Sequence, residues 1–305
     1  MRICSTIPAA TEILFSLGLG DQVVGVSYAC DYPAAAQRKP LIVTSVVEHR
    51  HLRSDQIDQT VIDSLRRGQS LYQVDLEVLR DTQPELVVTQ DLCDVCAVTI
   101  DDVRAAIREL SPPPRLVSLH PHSLAEMLEG IRQVGLATNR GAAAEEIVRD
   151  LQLRLDRVRA KTAQRRPRPR TLCIEWLKPL MTGGHWVPEM VALAGGAAGL
   201  AEPGKPSPYV TWDAVRAYAP EALFLMPCGL SVERTLRELE LVTALPGWSE
   251  LPAVVHQRAY AVNGDAFFNR AGPRLVDGVE LLARLLHPEA GPWPEPPAGA
   301  VRPLS

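Results

Sequence analysis

The sequence predicts an α/β protein built as two Rossmann-like lobes with mostly parallel sheets, joined by one long backbone α-helix. Three features of the chain carry that expectation. Short runs rich in Val, Ile and Leu alternate with helix-period patterns from end to end, the signature of βα units. One such unit recurs in each half: VDLEVLRDTQPELVVTQ begins at Val74 and VTWDAVRAYAPEALFLM at Val210, and both read as helix, Pro stop and buried strand. The longest helical pattern lies between these halves. At 305 residues the chain also has the length of about two domains of ~150 residues each.

Taken in order, Arg2 to Ser5 reads as a first strand. Pro8 marks a helix start, Ile13, Leu14 and Leu17 share one face, and Gly18 stops it. Val23 to Val26 is a second strand. Further strands are expected at Leu86 to Thr89, Arg115 to Leu119, Thr171 to Ile174, Ala222 to Leu225 and Ala259 to Val262, each apolar enough to be covered on both faces. Ser123 and Glu126 form a capping box that opens the central helical pattern, with Ile147, Leu151, Leu155 and Val158 on one stripe and Gly141 as a dent. A helix of ~40 residues runs about 60 Å, which suits a strut better than a crossover. RRPRPR (165–170) reads as a hydrated connector, and the stretch from Pro288, with six Pro, as an irregular tail. The resulting division is an N-terminal lobe over 1–122, the linking helix over 123–165, a C-terminal lobe over 166–287 and the tail over 288–305.

Composition narrows the function. Hydrophobic residues at 46% and charged residues at 22% exclude a disordered chain, a fibre and a polytopic membrane protein. Lys plus Arg is 32 against 36 Asp plus Glu, so a net charge of -4 leaves no electrostatic footprint for nucleic acid, and the same balance makes RRPRPR a solvated segment. Pro8 and Glu12 break any signal-peptide core near the start, and no apolar run is long enough to span a bilayer; the expectation is a cytoplasmic protein that is not membrane-embedded. Six cysteines (Cys4, Cys30, Cys93, Cys96, Cys173, Cys228) without a leader read as reduced thiols.

Chemistry is expected where loops leave the carboxyl ends of parallel strands. In the first half that rule selects Ser5 and Thr6, then Tyr28, Cys30, Asp31 and Tyr32, then Asp91, Cys93 and Cys96. In the second it selects Glu175 and Trp176, then Pro227 and Cys228, then Asp265, Phe267, Phe268, Asn269 and Arg270. Trp176, Trp186, Phe267 and Phe268 offer rigid faces with little entropy to lose and suit a broad, flat ligand, although each is also an ordinary core residue type. His185 lies in GGHWVPEMVALAGG, a glycine-flanked turn where an imidazole serves either a ligand or a cap. Cys93 and Cys96 form a CxxC, half of a zinc motif or a loose redox pair, and His49 with His51 alternates without a thiol or acidic partner. No nucleophile elbow, phosphate loop, dinucleotide fingerprint or HExxH is present, which weakens enzymatic readings.

Read together, TIPAATEILFSLGLGDQVVGVSYACDYP, EWLKPLMTGGHWVPEMVALAGG and NGDAFFNRAGPRLVDGVELLARLLHPE resemble the iron-siderophore and cobalamin binding family of ABC importers, over roughly 1–287. The resemblance implies two lobes on one backbone helix, a corrinoid such as cobalamin held between them, and no catalysis. It makes Asp265, Phe267, Phe268 and Arg270 corrinoid contacts, with Trp176 and Trp186 on the same lobe and Tyr28 opposite. Asp91, Glu175 and Asn269, from their strand-end positions, and His185, from its glycine-flanked turn, complete the candidate ligand set. It also implies an acidic residue on each lobe that docks an ABC permease, for which Glu77 and Asp213 fall at matching places in the repeat; both also suit a first helical turn. The family is usually periplasmic or lipid-anchored. Haem or an iron-siderophore is the alternative ligand, and a metal- or thiol-dependent enzyme using Cys93 and Cys96 is the alternative class, with those two cysteines as the candidate metal ligands.

Overall fold

Apolar runs of three to seven residues are too short for helices and pair instead into two sheets. A computed structural model describes residues 1–47, 51–92 and 97–304. The chain divides into two units: the first takes Met1–Leu52, Gln56–Pro121 and Ala125–Arg149, and the second takes Asp150–Ser305 together with Arg53–Asp55 and His122–Leu124.

The first unit holds β1 (Ile3–Ser5), α1 (Pro8–Ser16), β2 (Val23–Ser27), β3 (Leu41–Ser45), α2 (Ser54–Arg66), β4 (Tyr72–Val74), α3 (Leu76–Thr82), β5 (Leu86–Gln90), α4 (Ile100–Arg108), β6 (Arg115–Leu119), α5 (Leu124–Ala137) and the start of α6 (Gly141–Thr162). Its sheet runs β4-β3-β2-β1-β5-β6, parallel except for β4, which pairs antiparallel with β3. Central β1 and β5 are buried along almost all of their length because helices cover both faces.

The second unit follows with β7 (Arg170–Trp176), β8 (Met181–Thr182), α7 (Val187–Leu193), β9 (Ala197–Ala198), α8 (Trp212–Tyr218), β10 (Ala222–Leu225), α9 (Val232–Arg237), α10 (Glu240–Thr243), α11 (Pro252–Val255), β11 (Ala259–Val262), α12 (Gly264–Phe267), α13 (Leu275–Leu286) and β12 (Val301–Pro303). The sheet order is β12-β11-β10-β7-β8, with β9 also on β7. Strands β7, β10 and β11 are parallel, so their carboxyl ends share one edge.

The repeated unit is physically repeated. Asp75 caps α3 by accepting from the Val78 N–H at 3.0 Å, and Thr211 caps α8 by accepting from the Ala214 N–H at 3.2 Å. Both helices end on a residue with left-handed backbone, Gln83 at φ 40° and Ala219 at φ 49°, each followed by Pro and then by a central strand.

Two expectations need correction. The central helical pattern is not one rod over 123–165 but α5 and α6, because Asn139 takes left-handed backbone and the Arg140 N–H bonds back to the Gly135 carbonyl at 2.7 Å. Only glycine fits at 135, where a Cβ would lie 2.4 Å from that of Ala144. The tail is not irregular throughout. Trp293 is buried and donates to the His287 carbonyl at 2.8 Å, Lys161 sits 4.4 Å from its ring centre, and β12 pairs antiparallel with β11. An edge strand tolerates Pro303, which is why the proline content hid it.

A non-glycine residue in left-handed backbone costs about 1 kcal/mol. Gln83→Gly and Ala219→Gly are therefore expected to hold or raise stability by up to about 1 kcal/mol in urea melts, the reverse of glycine's usual effect. A loss in both overturns the account of these helix ends.

Candidate functional site

The parallel pairing of β7, β10 and β11 brings three loops to one edge of the second unit. At the end of β7, Glu175 and Trp176 are half-buried. The Cys228 N–H, after β10, donates to the Glu175 carbonyl at 3.1 Å, and the Gly229 N–H donates to the Asp265 carboxylate at 2.8 Å. Asn263 caps α12, and Arg270 pairs with Asp265 at 3.5 Å. Asn269 donates its amide nitrogen to the Met226 carbonyl at 3.0 Å, which fixes its oxygen as the free end. Trp186 donates its indole N–H to the Phe268 carbonyl at 2.6 Å.

Three polar atoms in this neighbourhood are buried without a hydrogen-bond partner among the described residues: Trp176 Nε1, His185 Nδ1 and Asn269 Oδ1. Each such orphan costs about 1–3 kcal/mol, and native folds keep few of them. His185 is also backbone-strained at φ 49°, held there because its N–H bonds to the Lys205 carbonyl at 2.6 Å and its carbonyl receives the Gly204 N–H at 2.8 Å. Its ring lies 5.5 Å from that of His122 and 5.7 Å from that of Trp186. Burial, and then the neighbouring His122, push its pKa below the usual imidazole value.

The aromatic expectations for this unit are corrected by burial. Phe268 is 0% exposed, Phe267 5% and Trp186 4%, so these rings are core and offer no face to a ligand. Trp176 alone of the four keeps a partly open surface. Tyr209, which no motif singled out, is 63% exposed and bridges to Met181, itself paired with Trp176. Cross-strand alignment therefore puts Trp176, Met181 and Tyr209 in one row, a signal only the register provides.

In the first unit, Tyr28 follows β2, is 39% exposed and stacks on Tyr72 at 6.2 Å. Tyr32 and Val46 are exposed at the same strand ends. Asp91 follows β5; its carbonyl meets His120 Nδ1 at 2.8 Å and its carboxylate lies 3.8 Å away. Ser5 and Thr6 are consumed internally: Thr6 donates to Thr89 at 2.7 Å, and Thr11 to Ser5 at 2.8 Å.

Cys4, Cys30 and Cys173 are buried in strands or loops packed as core, and burial pushes the Cys4 thiol up to about 11 and that of Cys173 to about 12, so neither supplies thiolate. Cys228 is half-buried at the edge. Cys93 and Cys96, with the metal reading attached to them, and His49 lie outside the described residues. Among the described residues no group of three metal-ligating side chains is gathered, and no helix is long and apolar enough to cross a membrane. Glu77 and Asp213 are both exposed in the first turns of α3 and α8.

A two-sheet α/β chain with ligand-competent strand ends is the architecture of solute-binding proteins, and the periplasmic binding protein family model matches residues 3–266. The chain belongs to that family. It is 25% identical over 292 residues to the vitamin B12-binding protein of Vibrio cholerae, covering 93% of this chain and 88% of the relative. It is 24% identical over 295 residues to the ABC transporter substrate-binding lipoprotein YvrC of Bacillus subtilis, covering 94% and 80%. Among solved structures, a periplasmic haem-binding protein from Pseudomonas aeruginosa superposes with a TM-score of 0.75 at 17% identity, covering 100% of this chain and 98% of that one. The vitamin B12 binding protein BtuF of Vibrio cholerae superposes at 0.68 with 23% identity, covering 95% and 97%. These likenesses establish the α/β fold.

Two outcomes test this description. Phe268→Ala should cost about 3–5 kcal/mol of stability in urea melts; a fully stable variant contradicts its place in the core. Because the folded pKa of His185 is lowered from 6.5, its contribution is intact above that pH and is lost as pH falls through the folded value. His185→Asn, which tolerates left-handed backbone, should flatten the decline of Tm on acidification, and an identical decline in wild type and variant refutes it.

Proposed function

We propose that the chain is the solute-binding component of an ABC importer and that its ligand is cobalamin or a related corrinoid, bound and released unchanged. The curated relatives named as vitamin B12-binding proteins support that ligand class over nearly the whole chain.

The observation that carries the reading is the pair of orphans at the strand ends, Asn269 Oδ1 and Trp176 Nε1. The first only accepts and the second only donates. A primary carboxamide supplies both complements, and a corrin ring is fringed with carboxamides. Haem presents ionised propionates, which only accept and so leave Asn269 unmet; Arg270, the cation beside it, is already compensated by Asp265. On the second unit, the row of Trp176, Met181 and Tyr209 supplies an apolar face for a flat macrocycle.

The second reading is haem, favoured by structural neighbours described as haem-binding proteins. Glu77 and Asp213, at matching places on matching helices, are the carboxylates we assign to docking on a permease.

Calorimetric and visible-absorption titrations against cobalamin, cobinamide and haem separate the two ligands. Both corrinoids should bind one to one, at least tenfold tighter than haem, and Asn269→Ala should weaken corrinoid binding by about 1 kcal/mol. Tighter binding of haem would select the second reading instead.

A further inference from the structure

We propose that His122 and His185 form a two-imidazole site for a labile divalent transition-metal ion of borderline softness, such as Co²⁺, Ni²⁺ or Zn²⁺. The two rings lie 5.5 Å apart, centre to centre. Metal to imidazole nitrogen distances are about 2.1 Å, which puts each ring centre about 3.3 Å from a shared ion. Two such rings on tetrahedral positions are then about 5.4 Å apart, and on the opposite positions of an octahedral ion about 6.6 Å. The observed spacing fits the tetrahedral arrangement. That choice matters, because a corrin or porphyrin occupies the four equatorial positions of its metal and leaves only opposite ones. The pair therefore suits an ion that arrives hydrated or loosely chelated, and not the metal of a macrocycle.

The surroundings are built to hold this geometry. His185 keeps a strained left-handed backbone pinned from both sides by Lys205 and Gly204, and glycine is required before it, where a Cβ at 184 would lie 2.5 Å from the Ser207 nitrogen. Strain maintained in this way is characteristic of residues aimed at a ligand. The Glu189 carboxylate, one turn beyond His185, accepts from the Leu124 N–H at 2.9 Å, which ties the segment carrying His122 to the segment carrying His185. His122 is exposed, so an ion has an approach, while His185 Nδ1 is buried and unpartnered among the described residues. Among the described residues no third His, Cys, Asp or Glu is gathered there.

The test is titration of the full chain with Co²⁺, read by its visible d–d absorption and by calorimetry with Zn²⁺ in competition. One equivalent should bind with no thiolate-to-cobalt charge-transfer band. His122→Asn and His185→Asn should each weaken it at least tenfold, while Cys93→Ser with Cys96→Ser leaves it unchanged. Proton spectra of the Co²⁺-loaded wild type, which require no variant, should show two hyperfine-shifted exchangeable imidazole resonances. Absence of Co²⁺ binding, retained affinity in both histidine variants, or loss of binding in the cysteine variant overturns the proposal. Cobinamide supplies the contrast: a corrin band shift that vanishes in His185→Asn would make the imidazole an axial ligand and overturn the tetrahedral geometry. Corrinoid affinity itself can fail or hold independently of every one of these readings.

Discussion

Parallel pairing of β7, β10 and β11 is the constraint on which the second unit's chemistry depends. Parallel strands must each be re-entered from the same end, so every connection leaves the sheet at one edge and returns at the other. The loops carrying Glu175, Trp176, Cys228, Asp265 and Asn269 are neighbours for that reason alone, and the cross-loop hydrogen bonds from Cys228 to Glu175 and from Gly229 to Asp265 follow from the shared edge. Moving one strand by a single residue would turn its side chains to the opposite face and dissolve the arrangement.

Much of this was legible in the residues. Ala222–Leu225 and Ala259–Val262 read as strands because a buried parallel strand is a short apolar run, and their cover on both faces is observed, whereas Arg115–Leu119 forms its strand at a sheet edge and stays largely half-buried. The repeated helix and strand were visible because Asp75 and Thr211 cap and Pro84 and Pro220 stop. Less was legible where pairing, not composition, makes the strand. β4 and β12 are three-residue antiparallel edges held by a partner from elsewhere in the chain, and β12 contains the proline that argued against it. The break between α5 and α6 was hidden because Asn139 carries the left-handed turn that glycine usually signals.

At the site, position was readable but direction was not. FF followed by Asn, Arg and Gly marked the loop after β11 correctly, yet Phe267 and Phe268 turn inward while Asn269 keeps an unmet oxygen. A residue's place at a strand end follows from its number; which way it faces follows from the packing of α7 and α13 around it. His185 illustrates the difference. Its glycine neighbours hinted at unusual backbone, but His122, 63 positions earlier by number, becomes its neighbour only through the bond between Glu189 and Leu124.

β12 lies along β11 and occupies hydrogen-bonding groups that would otherwise invite a foreign strand. β12 lies well beyond β11 along the chain, so once β10 and β11 have paired the sheet keeps a bare flank until Val301–Pro303 docks. During that interval the folding chain presents an open β edge to any neighbour able to pair with it.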